Sequence, residues 1–174
     1  MLMTSAAFGQ IQKGDVRIGG NLSISKSENP GFEANRFSLN PNASFFISEQ
    51  TSLGITLGFS NQKTNNGGTE QKTDQFAYGV FARFYKSMGD KFYVYLQPGI
   101  TLADGDVNGT DFSSFSFNVT PGLAYFVSEK IALEMGLGGF FYTSQDVGGV
   151  DSDNYGFNIN LTGFTLGASF FLRK

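Results

Sequence analysis

Three charged side chains stand apart in this chain. Arg17, Arg83 and Glu134 fall in the polar phase of apolar alternating runs, whereas the rest of the 12 Lys and Arg and 15 Asp and Glu lie outside the runs, in the connections or at the two ends of the chain. Two guanidiniums and one carboxylate at similar depth in a polar lumen would form either an ion pair that satisfies buried charge or a ring that selects and gates ions. The ion-pair reading is preferred, because a narrow barrel interior is filled by side chains.

A second candidate is Ala103 to Asp111, where Asp104, Asp106, Asn108 and Gly109 follow the D-x-D-x-N-G spacing of a calcium loop. The position that should carry a bidentate Glu is Phe115, so the segment reads as a solvated hairpin connection, with calcium the alternative. Asp146, Asp151 and Asp153 invite the same reading. The chain has no Cys and no His. Thiolate nucleophiles, histidine triads and most zinc sites are thereby excluded, and no catalytic, cofactor-binding or metal-binding residues are assigned. A formal charge of -3 and a pI near 4.8 supply no basic field for nucleic acid.

These residues need elements to position them, and the apolar spacing supplies one kind only. Large apolar side chains recur at every second position, the strand period. Eight runs are predicted: Val16 to Ile24, Phe37 to Ile47, Leu53 to Phe59, Phe76 to Phe84, Phe92 to Leu102, Phe115 to Tyr125, Ile131 to Phe141, and Phe157 to Leu172. The last changes phase part-way, which a bulge at Gly163 would produce. Pro41, Pro98 and Pro121 each remove a ladder donor and predict kinks or bulges. Long polar connections (26–36, 61–74, 103–114 and 143–156) alternate with tight ones (48–52, 86–91 and 128–130), so the long loops share one end of the molecule. Phe37 to Gly58 also matches Phe117 to Gly138 at a fixed offset, pairing Pro41 with Pro121 and Phe46 with Phe126. The repeated hairpins would face each other across a closed barrel.

Volume decides which phase faces outward. The apolar rows are too bulky for an eight-stranded interior, while the alternate rows hold Asn21, Ser23, Asn40, Asn42, Ser44, Thr56, Gln97, Thr120 and Asn158, suited to a polar filling. The outer rows carry no charge, as a hydrocarbon solvent requires. Aromatic residues gather at both ends of these rows, Phe37, Phe59, Phe76, Tyr78, Phe115, Phe141 and Phe157 toward the long loops and Phe45, Phe84, Phe92, Tyr125 and Phe170 toward the tight turns, resembling two interfacial girdles. The fold class predicted is all-β: an eight-stranded antiparallel up-and-down transmembrane β-barrel spanning residues 14–174. Residues 1–9 read as the remnant of a signal peptide, with Ala7-Phe8-Gly9 at the small-x-small spacing of a cleavage site, or alternatively as a native terminus. No apolar run is long enough for a transmembrane helix.

The motifs FSLNPNASFFISEQTSLGITLG, FARFYKSMGDKFYVYLQPGI and FNVTPGLAYFVSEKIALEMGLG resemble those of outer-membrane beta-barrel domain proteins of the OmpA/OmpX type, over about residues 14–172. The resemblance implies a barrel in the cell outer membrane of a diderm bacterium, exported through a signal peptide and meeting lipid, lipopolysaccharide and the barrel-assembly machinery. It carries over no enzymatic residue. The chain departs from the family pattern in continuing past its last aromatic through Arg173 and Lys174. The expected function is non-enzymatic, structural or surface-binding through four long extracellular loops, with a lumen filled by polar side chains. The alternatives are a narrow, porin-like channel for small or apolar solutes and a soluble lipocalin-like ligand-binding barrel.

Overall fold

The computed structural model describes residues 11–159 and 165–173, and the secondary structure in them is all strand. The elements are β1 (Val16–Asn29), β2 (Phe32–Phe46), β3 (Thr51–Asn66), β4 (Thr69–Ser87), β5 (Phe92–Val107), β6 (Thr110–Phe126), β7 (Ile131–Gly136), β8 (Gly138–Val147), β9 (Val150–Ile159) and β10 (Thr165–Leu172). β7 and β8 are two halves of one stave, as are β9 and β10, so eight staves form the barrel. Neighbouring staves are antiparallel, and β5 to β6 and β1 to β10 complete the closed ring β5-β4-β3-β2-β1-β10-β7-β6. The repeated hairpins β2–β3 and β6–β7 lie half a turn apart in that order.

The four long connections are the main correction to the sequence reading. They are not loops but continuations of the strands, closed by two-residue turns at Pro30-Gly31, Gly67-Gly68, Asn108-Gly109 and Gly148-Gly149. Both residues of the last three turns have positive φ, as a type I′ hairpin demands; Asn108 (φ 54) does so without being glycine. In each of these three a carboxylate or amide three residues earlier caps the turn. Gly68 N donates to Asn65 Oδ1 (3.1 Å), Gly109 N to Asp106 Oδ1 (2.8 Å) and Gly149 N to Asp146 Oδ1 (3.0 Å). Polar composition at these positions reports solvent on both faces of a strand, not absence of the strand.

At the opposite end the turns are short, as expected, and the repeat extends to their hydrogen bonds. Ile47 N and Ser48 N both donate to Thr51 O, and Val127 N and Ser128 N both donate to Ile131 O. Ser48 Oγ accepts from Gln50 N and Ser128 Oγ from Lys130 N.

Each of the three strand prolines sits where one ladder lapses. The β2–β3 pairing skips from Leu39↔Phe59 to Asn42↔Thr56 around Pro41, and β4–β5 skips from Phe81↔Gly99 to Phe84↔Leu96 around Pro98. Beside Pro121, β6 exchanges β7 for β8 through one extra residue on the partner stave, and Leu137 N donates to Pro121 O. At Pro41 and Pro98 the register is the same on both sides of the gap, so the ladder lapses without a bulge, and of the three only Pro121 sits beside an extra residue.

That extra residue reverses the side-chain phase beyond Leu137. Phe140 is exposed on the outside and Phe141 packs toward Gly156, so the expected outward row ending in Gly139 and Phe141 holds only as far as Leu137. The proposed bulge at Gly163 lies outside the described residues. The outward phase does differ between the described strands on either side: Ile159 and Leu166, an odd number of positions apart, are both exposed.

The remaining apolar rows face outward. Ile18, Leu22, Leu39, Leu53, Ile55, Leu57, Val80, Leu96, Ile100 and Leu133 are all exposed. From Phe37 to Ile47 the outer row of β2 extends about 33 Å along the strand. At a tilt of about 40° that is about 25 Å along the axis, the height of the apolar band on an outer-membrane barrel.

Candidate functional site

Strand alternation turns Arg17 on β1, Arg83 on β4 and Glu134 on β7 into the lumen, where they meet. Arg17 Nε donates to Glu134 Oε1 (2.7 Å) and its Nη2 to Oε2, a bidentate pair. Arg83 Nη1 donates to the same Oε1 at 2.9 Å. The three are between 1 and 6% exposed. Each arginine is held by further side chains: Arg17 Nη1 donates to Asn42 Oδ1 (2.6 Å), and Arg83 donates to Gln97 Oε1 (2.8 Å) and the Tyr85 hydroxyl (3.0 Å). The Arg83 guanidinium also lies over the Tyr95 ring, 4.1 Å from its centroid. Glu134 is therefore the hub of a cluster that draws on five staves and carries one net positive charge.

Toward the tight-turn end the lumen becomes aromatic, where a polar filling was expected throughout. Phe46, Tyr85, Tyr93, Phe126 and Phe171 point inward and make a closed ring of contacts: Phe46–Tyr85 at 5.4 Å, Tyr85–Tyr93 at 6.4 Å, Tyr93–Phe126 at 5.5 Å, Phe126–Phe171 at 4.8 Å and Phe171–Phe46 at 6.0 Å between centroids. Ile11 joins the same buried cluster. Four of these residues are fixed by one recurring backbone device. The N–H groups of Phe46, Tyr85, Phe126 and Phe171 donate to the carbonyls of Asp15, Gln50, Lys91 and Lys130, each in the segment or turn before the neighbouring stave, at 2.7 to 2.9 Å. The sequence carries a signal for this ring in adjacent aromatic pairs at the strand ends: Phe45-Phe46, Phe84-Tyr85, Phe92-Tyr93, Tyr125-Phe126 and Phe170-Phe171. Alternation sends the first member of each of these pairs out to the girdle and the second into the lumen.

On the other side of the charge cluster lies a polar cavity of about 420 Å³. Asn21, Asn40, Asn42, Thr56, Gln97, Thr120 and Asn158 line it, with Arg17, Arg83 and Glu134 at its base. Asn40 Nδ2 donates to Asn21 Oδ1 (2.9 Å), and Tyr95 hydroxyl to Met135 O (3.4 Å).

The calcium-type spacing folds as the β5–β6 hairpin tip. Asp106 is engaged with its own turn, and Asn108 Oδ1 accepts from Lys72 N of the neighbouring strand (2.7 Å). Asp104, Asp106, Asp111, Asp146, Asp151 and Asp153 share the outer face above the aromatic girdle, and Asp106↔Asp111 and Asp146↔Asp151 are direct cross-strand neighbours. On β4, Asp74 is held by the Lys72 ammonium (2.5 Å) and the Asn61 amide, which together keep its carboxyl below the usual carboxylate range.

A barrel with an uncharged outer band, two aromatic girdles and a charge cluster turned into its lumen matches a known family model, the outer membrane protein beta-barrel domain, over residues 1–170. The chain belongs to that family. It is an all-β, integral outer-membrane barrel. Solved structures of similar fold include the outer membrane protein OprG of Pseudomonas aeruginosa (TM-score 0.59, 12% identity, 95% of this chain and 100% of that one) and Neisserial surface protein A (0.56, 19%, 95% and 97%). The N-terminal beta-barrel domain of Pseudomonas aeruginosa OprF is also similar (0.51, 13%, 92% and 98%). At these identities the likeness is one of fold. No curated protein matches the chain.

Proposed function

We propose that this protein is a sealed, non-enzymatic barrel of the outer membrane whose working surface is its four extracellular hairpins. The observation that carries this reading is the double closure of the lumen. A ring of five aromatic side chains lies beneath a bridged Arg17–Glu134–Arg83 cluster, so a solute entering the polar cavity meets a charged floor and then an apolar one. Ion passage through that stack would demand dehydration at the aromatic layer and rupture of a buried ion pair. The cluster then acts as a plug, with gating or selectivity as the competing role.

The hairpins remain as the surface presented to the outside. Their exposure, their acid-rich β5–β9 sector and their rigid two-residue tips suit them to meet partners as preformed strands. Export by a signal ending near Gly9, insertion by barrel-assembly machinery, and contact of the girdle with lipid and lipopolysaccharide belong to the same reading. The support for them is the residues named above and family membership.

The test is conductance of the purified protein in planar lipid bilayers. No steady channel is expected from the wild-type chain, while Phe46→Ala, Phe126→Ala and Glu134→Gln combined should raise conductance events. Steady wild-type conductance would replace the plug by a channel.

A further inference from the structure

Among the described residues β9 (Val150–Ile159) ends the sheet order with a single neighbour, and the facing stretch of β1 above Gly20 pairs with β2 alone. β9 pairs with β8 along its whole length, and among the described residues nothing pairs with its other edge. No Cα of β1, the next stave, comes within 8 Å of a Cα of β9. The two-residue turn fixes which groups are unpaired. Val147 and Val150 flank the turn as a hydrogen-bonded pair, so Val150, Ser152, Asn154, Gly156 and Asn158 spend their backbone groups on β8. The N–H and C=O of Asp151, Asp153, Tyr155 and Phe157 point to the open edge.

An open edge of this length is a template for another strand. The same residues put their side chains on the outer face, where Tyr155 is 74% and Phe157 69% exposed, against 45% for Phe59 and 49% for Phe84 in the girdles. Two acids near the hairpin tip are thus followed by aromatic and apolar residues toward the membrane. Asp151 already faces Asp146 across the hairpin, a like-charge pair that is unfavourable until a cation neutralises it. Between Phe92 and Ile159 the chain offers only Lys130, in a turn at the other end of the barrel.

We propose that the free edge of β9 docks an extended segment of a partner polypeptide at the cell surface, added as an antiparallel strand. β9 descends from its tip toward the membrane, so the added strand ascends. Its outward side chains are apolar at its N-terminal end, beside Tyr155 to Ile159, and basic at its C-terminal end, beside Asp153 and Asp151. A second copy in the same membrane does not fit this geometry. Antiparallel pairing of two identical edges needs a two-fold axis perpendicular to the strands, which would turn one barrel upside down. The inference rests on the hairpins being the working surface, and its test is independent of conductance.

The probe is a labelled synthetic peptide, Thr-Ile-Thr-Phe-Thr-Val-Thr-Lys-Thr-Lys, titrated against the full chain in lipid nanodiscs and followed by fluorescence anisotropy. Saturable binding is expected, together with slower hydrogen exchange at the amides of Asp151, Asp153, Tyr155 and Phe157. The same peptide N-methylated at its Ile, Phe, Val and Lys residues, which removes the edge-facing donors, should bind about tenfold more weakly or worse. Asp151→Asn with Asp153→Asn should weaken binding and flatten its dependence on salt. Absence of saturable binding, or equal binding of the N-methylated peptide, overturns the proposal. In that event the two aspartates serve to guard the edge against pairing.

Discussion

Arg17 and Glu134, on the two staves that flank β10, form a bidentate pair, with both carboxylate oxygens engaged and Arg83 reaching across the lumen from β4 to share one of them. Removing the hub leaves two guanidiniums facing each other at near-zero exposure, whereas removing Arg83 leaves the bidentate pair intact. Breaking a buried pair costs about 3–5 kcal/mol. Glu134→Gln should therefore lower unfolding resistance more than Arg83→Gln. In the double variant part of the Glu134→Gln loss should return, because one of the two orphaned charges is gone. Denaturant unfolding of all four proteins in lipid closes the cycle, and additive losses would mean that Glu134 and Arg83 are not directly coupled.

Phe46 and Phe126 occupy equivalent places in the two repeated hairpins, and both touch Phe171, at 6.0 and 4.8 Å between centroids. Truncating either to Ala should cost about 3–5 kcal/mol, the usual range for a buried phenylalanine. Because each loss also frees Phe171, the double variant should cost less than the two single effects added. Equal, fully additive losses in the same unfolding assay would show that the ring is a set of separate contacts.

The strand count, the outward phase and the positions of Arg17, Arg83 and Glu134 were legible because a two-residue period is read directly from side-chain size and charge. What was missed follows from the same dependence. Where both faces of a strand meet water, as from Ser25 to Asn29 or Lys63 to Asn66, alternation vanishes and the segment reads as loop although its ladder continues. Where both faces are apolar, as at Phe45-Phe46, alternation is again silent, and the aromatic floor stayed hidden inside what looked like girdle. The slip at Leu137 was invisible because Phe140 and Phe141 are equally apolar, so either phase satisfied the pattern. Pairing between distant strands, which brings Glu134 onto both arginines, has no local signature at all.

Asp74 offers a pH-dependent readout above the membrane. Its carboxyl is held low chiefly by hydrogen bonds from Lys72 and Asn61. A group depressed in the folded state contributes stability above its unfolded pKa, and that contribution is lost as pH falls through the folded value. Both partners are exposed, so the effect on global stability is small. A site-resolved NMR titration should find Asp74 below the usual aspartate range and moved upward in Lys72→Ala. An unchanged midpoint in that variant would remove Lys72 as a cause.

Substituting arginine along β3 and β5 tests the facing of the wall. Leu57 and Leu96 are exposed on the outer band at 40 and 45%, level with hydrocarbon. A lipid-facing arginine near the midplane costs about 2–4 kcal/mol, so Leu57→Arg and Leu96→Arg should both impair folding into bilayers. Their sequence neighbours differ from each other. Thr56 lines the polar cavity, and Thr56→Arg should be tolerated there, its added charge met by Asn40, Asn42 and water. Gln97 lines the same cavity, but its Oε1 accepts from Arg83 at 2.8 Å. Gln97→Arg would replace that acceptor with a third cation beside a cluster that already carries net positive charge, so it should destabilise despite its lumenal position. Gln97→Glu should instead be tolerated, by balancing the two arginines with two carboxylates. The yield of folded, heat-modifiable protein in lipid vesicles ranks the five variants. Equal tolerance of Leu57→Arg and Thr56→Arg would reverse the assigned faces, and tolerance of Gln97→Arg would show that the charge cluster admits another cation.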